Sequence, residues 1–314
     1  FPYTTLFRSI KIDNYDEIQC KFDLSDDNIN DKNIFMNAIS AILFKSISAK
    51  EIFVKSKFIN CFFDYIRQIT EQLYSNTLSR SPINEYLINE FNNVLILLQN
   101  FVYGLNSTEV NKDFIAVLYD IFYETVRYPI LFDNYLKLLM NFISKSEAAK
   151  KAFTATLYNN ETFLGMILDY FIKNFKLQMN DLFISFMKSL FQNKNVVLYL
   201  MKTKFIDNLV KDFDSLIINK KYISNIANHK YIELILSLLI SLSFDNDISK
   251  KIATKDFVEH LTEMILKVKN ENIIYNILFL FRNFSFVSNN KLHFMVNENL
   301  LGTIFAIMGM NSFS

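Results

Sequence analysis

One short pattern recurs along this chain. The fragments KSKFIN (Lys55 to Asn60), NKDFIA (Asn111 to Ala116), NETFLG (Asn160 to Gly165), KTKFID (Lys202 to Asp207), TKDFVE (Thr254 to Glu259) and NENLLG (Asn297 to Gly302) each set polar residues before a bulky apolar pair and then return to polarity. The pairs begin at Phe58, Phe114, Phe163, Phe205, Phe257 and Leu300, at separations of 56, 49, 42, 52 and 43 residues. A period of about 40–47 residues, with insertions, marks stacked helical units, none of which can bury its apolar face alone.

Helical periodicity fills each unit in the same order. After Phe257 an amphipathic helix runs to about Lys267, a long apolar one follows from Ile273 to Phe286, and a short one spans Asn289 to Val296. The preceding copy places its long helix at Tyr231 to Phe244 and its short one at Asn246 to Thr254; earlier copies place the long helix at about Ile83 to Tyr103, Leu131 to Ser144 and Met179 to Phe191. Ser81-Pro82 reads as a cap before a first-turn proline, and Ser48 to Glu51 as a capping box. With four Gly and three Pro in 314 residues, a turn-rich sheet is excluded, and 51% hydrophobic content supports a large core. The expected fold is all-α, a right-handed solenoid of about six three-helix repeats.

The repeats are expected over 26–310, with Asp214 to Asn228 as a mobile loop insertion, 10–25 as an irregular lead-in and 311–314 as a tail. Phe1 to Ser9, read back into codons, matches the end of a sequencing adapter, so these residues are expected to be a processing scar. Cys20 and Cys61 form neither a disulfide framework nor a CxxC metal motif and read as core or near-core thiols of a reducing compartment. Asn106, Asn160 and Asn283 head glycosylation sequons, which an Asn-rich chain produces by chance. The longest apolar run, Leu234 to Phe244, is too short to span a bilayer.

The last long helix carries Arg282-Asn283-Phe284-Ser285, a polar pair followed by apolar-Ser. On this string and the repeat period, the chain resembles the armadillo-repeat (armadillo/HEAT-like) superfamily over about Asp26 to Met310. Within that superfamily, RNFSF and NNKLHF are similar to strings in the C-terminal repeats of the rotatin group of centriole and basal-body scaffolds. The family's usual Gly between the short helix and the next is kept nearby only at Gly165 and Gly302, and Asn or Asp, which tolerate left-handed backbone, would take over that turn. Whether the repeats are of armadillo or HEAT type is left open.

The resemblance implies that the third helices line a groove in which one Asn each holds the backbone of an extended peptide. Its positions here are Asn100, Asn141, Ser189, Ser241 and Asn283. Seven residues earlier on the same face stand Asn93, Asn134 and Asn276; the two middle repeats carry Ser185 and Ser237 one turn back instead. An amide offers donor and acceptor to the alternating groups of such a backbone. Lys137, Lys188 and Arg282 lie on or beside this face and would favour an acidic partner. A merely solvated face explains the same row. Family members that carry import signals pair each Asn with a Trp, and this chain has none, so that cargo is not expected.

A net charge of +1 supplies no field for nucleic acid. His229, His260 and His293 lie in different helices without metal-ligand spacing, and no phosphate-cradling or nucleophile motif is present. No catalysis, cofactor or metal is therefore expected. The leading expectation is a non-enzymatic scaffold, intracellular and most simply cytoplasmic, with centrosome or basal body in view, that binds an extended or helical segment of another protein. The alternatives are a structural or regulatory arm of a larger enzyme or membrane-traffic assembly, and a homo-oligomer using Phe62, Phe63 and Tyr65.

Overall fold

The computed structural model describes residues 29–304, apart from 56–57, 79–84, 104–111, 145–150, 152, 154, 156, 159–160, 179, 298 and 301. The chain divides into two compact units, the first ending at Ala149 and the second beginning at Lys150.

In the first unit the helices are α1 (Ile29–Lys45), α2 (Ile47–Lys55), α3 (Phe58–Leu78), α4 (Glu85–Val102), α5 (Lys112–Thr125) and α6 (Pro129–Ser144). The helices α1, α4 and α6 pack side by side in that order, and α3 packs on α5. Phe114 explains how the layers cohere. It is 1% exposed, with ring centroids 5.9 Å from Phe63 of α3, 6.1 Å from Phe101 of α4 and 5.4 Å from Phe142 of α6. Offset and edge contacts of this kind add to the burial of the rings themselves.

The second unit opens with an antiparallel pair of two-residue strands, β1 (Leu157–Tyr158) and β2 (Glu161–Thr162). Then come α7 (Phe163–Gln178), α8 (Asp181–Phe191), α9 (Lys194–Lys202), α10 (Phe205–Ile218), α11 (Lys220–Ser224), a 3₁₀ turn (Ile226–Asn228), α12 (His229–Leu242), α13 (Asn246–Ile252), α14 (Lys255–Lys267), α15 (Glu271–Ser285) and α16 (Ser288–Met295). The long helices α8, α12 and α15 stack in sequence, as do α7, α10 and α14. Phe163, Phe205 and Phe257 open or enter the first turns of the latter three, each 3% exposed or less. The recurring bulky pair therefore plugs the starts of α7, α10 and α14 into the core. The fold is all-α and armadillo-like in the order of its helices.

Helix starts in the second unit use side-chain caps in extended backbone, and the turn from the short helix α13 into α14 runs through Ala253 (φ −78°) and Thr254 (φ −71°), not the left-handed Asn or Asp expected there. Asp245 Oδ1 accepts the Asp247 and Ile248 amides at 3.0 Å, Thr254 Oγ1 accepts that of Phe257, and Asn270 Oδ1 accepts that of Ile273. Each cap satisfies an amide the helix leaves unpaired, so the corner needs no glycine.

Three other expectations are corrected. The segment 214–228 is not a loop: α10 continues to Ile218, Asn219 caps α11, Asn225 caps the 3₁₀ turn, and Ile217 and Ile223 are buried beneath. The cap of α2 is Ser46, whose Oγ accepts the Ala49 amide at 3.1 Å, rather than Ser48 inside the helix. Phe62, Phe63 and Tyr65 are at most 2% exposed and belong to the core, not to a surface for a second copy. Ser81-Pro82, Cys20, the Cys61 side chain, Asn106, Asn160, the lead-in and the tail lie outside the described residues.

Candidate functional site

In each unit the long third helices turn one side to solvent. In the second unit, the N-terminal ends of that side are polar. Lys230 Nζ lies 2.7 Å from Asp181 Oδ1, tying α12 to α8, and Asn270 Nδ2 donates to Glu233 Oε1 at 3.0 Å, tying α15 to α12. Along the middle run Ser185 and Ser189 of α8 and Ser237 and Ser241 of α12, half-buried or exposed. Ser185 Oγ donates to the Asp181 carbonyl at 2.8 Å. Lys188 sits among them half-buried; desolvation lowers its ammonium below the ordinary lysine value, against the pull of Asp181.

The C-terminal ends of α12 and α15 carry Phe244 and Phe286, and the aromatic surface runs back along α15 through Phe279 to Tyr275. Phe244, Tyr275 and Phe286 are 67%, 65% and 68% exposed. Phe279 contacts both Phe244, at 6.4 Å between centroids, and Tyr275, at 6.2 Å. The guanidinium of Arg282 lies over Phe279 at 5.4 Å and over Phe286 at 5.3 Å. Tyr275, Phe279, Arg282 and Phe286 share one side because spacings of four, three and four return to the same helical face. The buried set of α15, Ile273, Ile277, Leu280, Phe281 and Phe284, occupies the other.

Three of the six asparagines expected to face a peptide bond to a neighbouring helix or its cap. Asn283 is 4% exposed, and its Nδ2 donates to Ser243 Oγ at 2.9 Å. In the first unit Asn100 Nδ2 donates to Ser40 Oγ of α1 at 2.7 Å, and Asn134 Nδ2 donates to Asn92 Oδ1 of α4 at 2.6 Å. Gln99 Nε2 donates back to the Asn134 carbonyl at 2.9 Å. These amides join neighbouring long helices. Asn93, Asn141 and Asn276 are half-buried, and Lys137 is exposed with its Nζ 3.3 Å from Asn134 Oδ1.

The sequence expectation named the serines and the cations of this face but not Ser40, Ser243 or its aromatic end. The available signal was the spacing of Tyr275, Phe279, Arg282 and Phe286. It was masked because YNILFLFRNFSF is apolar nearly all the way round, so wall and core look alike. Among the described residues no helix is long and apolar enough to cross a membrane.

No family model matches the chain, and no curated protein matches it. Solved structures do. An engineered protein from a structural-genomics programme is 12% identical, with 83% of this chain and 93% of that one covered at a TM-score of 0.49. A designed armadillo repeat protein in complex with a (KR)4 peptide is 12% identical, with 79% and 91% covered at a TM-score of 0.46.

Proposed function

We propose that this chain is a protein-binding scaffold, and that the face of α8, α12 and α15 receives an extended or helical segment of a partner. The observation that carries this reading is the exposed aromatic end of the face, Phe244, Tyr275 and Phe286, set beside a row of small hydroxyl side chains. Contiguous aromatic surface on a solvated helix face costs free energy until something covers it, and such patches mark interaction sites. Ser185, Ser189, Ser237 and Ser241 leave room for a backbone to approach and offer it both donors and acceptors. Asn93, Asn141 and Lys137 form the corresponding face of the first unit, where Asn100 and Asn134 mainly hold helices together.

The reading is tested by selecting phage-displayed peptides on the intact chain and measuring the enriched sequences against Ser237→Arg and Ser241→Arg. Filling the floor with a long cation should weaken capture about tenfold or more while the melting temperature stays within a few degrees. Peptides that bind both variants as they bind the parent would place the binding elsewhere.

A further inference from the structure

We infer that Arg282 is the anchor of this face for a carboxylate, and that the segment received is acidic and aromatic: an Asp or Glu side chain with a Phe, Tyr or Leu a few positions away. The inference rests on the reading above and names its partner chemistry.

Arginine usage within the chain points to it. Among the described residues Arg67 lies 3.0 Å from Asp64 and 3.7 Å from Asp120, and Arg127 lies 2.8 Å from Glu124. Arg282 has no carboxylate within ion-pair distance among the described residues; its contacts are the faces of Phe279 and Phe286. An arginine held against two rings keeps its planar fork in one orientation, so little rotamer freedom remains to be lost when a bidentate acceptor arrives. The rings also exclude water from one side of the guanidinium, which strengthens a charge-assisted pair once the face is covered. Phe244 and Tyr275, both largely exposed, pack against Phe279 and supply apolar surface for the neighbouring side chain. Lys188, partly desolvated on α8, adds a second cation along the face. Asp181 and Glu233, the acidic groups of α8 and α12 on this side, are engaged by Lys230 and Asn270 at the opposite end. Of the acids next to Phe244, Asp245 caps α13 and Asp247 pairs with Lys250 at 3.1 Å, so neither is ion-paired to Arg282.

The test uses the full chain and acetylated, amidated twelve-residue peptides, so that no terminal carboxylate takes part. One set carries Glu and Asp beside Phe and Leu; a matched set carries Lys in place of each acid. Fluorescence anisotropy is measured on the parent, Arg282→Lys, Arg282→Glu and Ser237→Arg, each checked by thermal melting. The expected result is binding of the acidic set only, a loss of about tenfold for Arg282→Lys, and for Arg282→Glu a loss of the acidic set with a gain of the lysine set. Arg282→Lys keeps the charge on an exposed position and decides the matter if Arg282→Glu melts early. Acidic peptides that are blocked by Ser237→Arg yet indifferent to Arg282→Glu would overturn the anchor and leave the face standing. Binding of the lysine set by the parent would also overturn it, and failure of both sets to bind would overturn anchor and face together.

Discussion

The Asn283 side-chain amide donates to Ser243 Oγ at 2.9 Å, tying the end of α15 to the end of α12 at a site only 4% exposed. Asn100 and Ser40 repeat the relation between α4 and α1, and Asn290 donates to Ser249 Oγ at 3.2 Å between α16 and α13. In these three pairs a small hydroxyl on one repeat and an amide on the next form a polar lock inside an apolar seam.

That lock predicts the cost of breaking it. Asn283→Ala leaves a buried hydroxyl without its donor and should destabilise the second unit by about 1–3 kcal/mol. Ser243→Ala should cost a similar amount, and the double variant little more than either single one. Urea unfolding followed by circular dichroism reads all three; additive losses would show that the bond contributes nothing.

In the first unit the Tyr65 hydroxyl donates to the buried Glu90 carboxylate, joining α3 to α4. Burial, with Glu90 adding to it, pushes the phenol well above its ordinary value, so it remains a donor at any usual pH. Tyr65→Phe should cost about 1–3 kcal/mol by stranding an acceptor, and replacing both partners together with apolar residues should cost less than that. The midpoint of chemical denaturation decides.

Phe114 and Phe286 are the same residue type in opposite settings, 1% and 68% exposed. Phe114→Ala removes a ring shared among three helices and should destabilise by about 3–5 kcal/mol. Phe286→Ala should change stability by no more than about 0.5 kcal/mol while weakening peptide capture at the aromatic end. Thermal melts and anisotropy on the two variants separate core from site.

Glu124 of α5 predicts a pH dependence. Burial raises its carboxyl above the ordinary value of 4.5, and Arg127, 2.8 Å away, only partly offsets that. The folded state therefore holds this proton to higher pH than the unfolded state does, so stability falls as pH rises from about 4.5 through the raised value. Glu124→Gln should flatten that part of the profile, read as denaturation midpoints between pH 4 and 8. An unchanged slope would assign it to other groups.

Much of the fold was legible because its signals are local. The bulky pairs at Phe114, Phe163, Phe205 and Phe257 mark the starts of α5, α7, α10 and α14, and apolar periodicity located the later long helices, from α4 on, to within a few residues. The segment 214–228 was misread because its polar residues resemble a loop, whereas Asn219 and Asn225 are caps.

By itself the sequence determined the helical repeat: helix period, caps and burial of the bulky pair depend on residues within a few turns of one another. Only the tertiary structure decided which polar residues of the third helices are available to a partner. Asn283 meets Ser243 across 40 residues of chain and Asn100 meets Ser40 across 60, whereas Phe279 and Phe286 enclose Arg282 on an open face. An asparagine and a phenylalanine carry the same letters inside or outside. What distinguishes them is the neighbouring helix, and its register is set by packing between repeats.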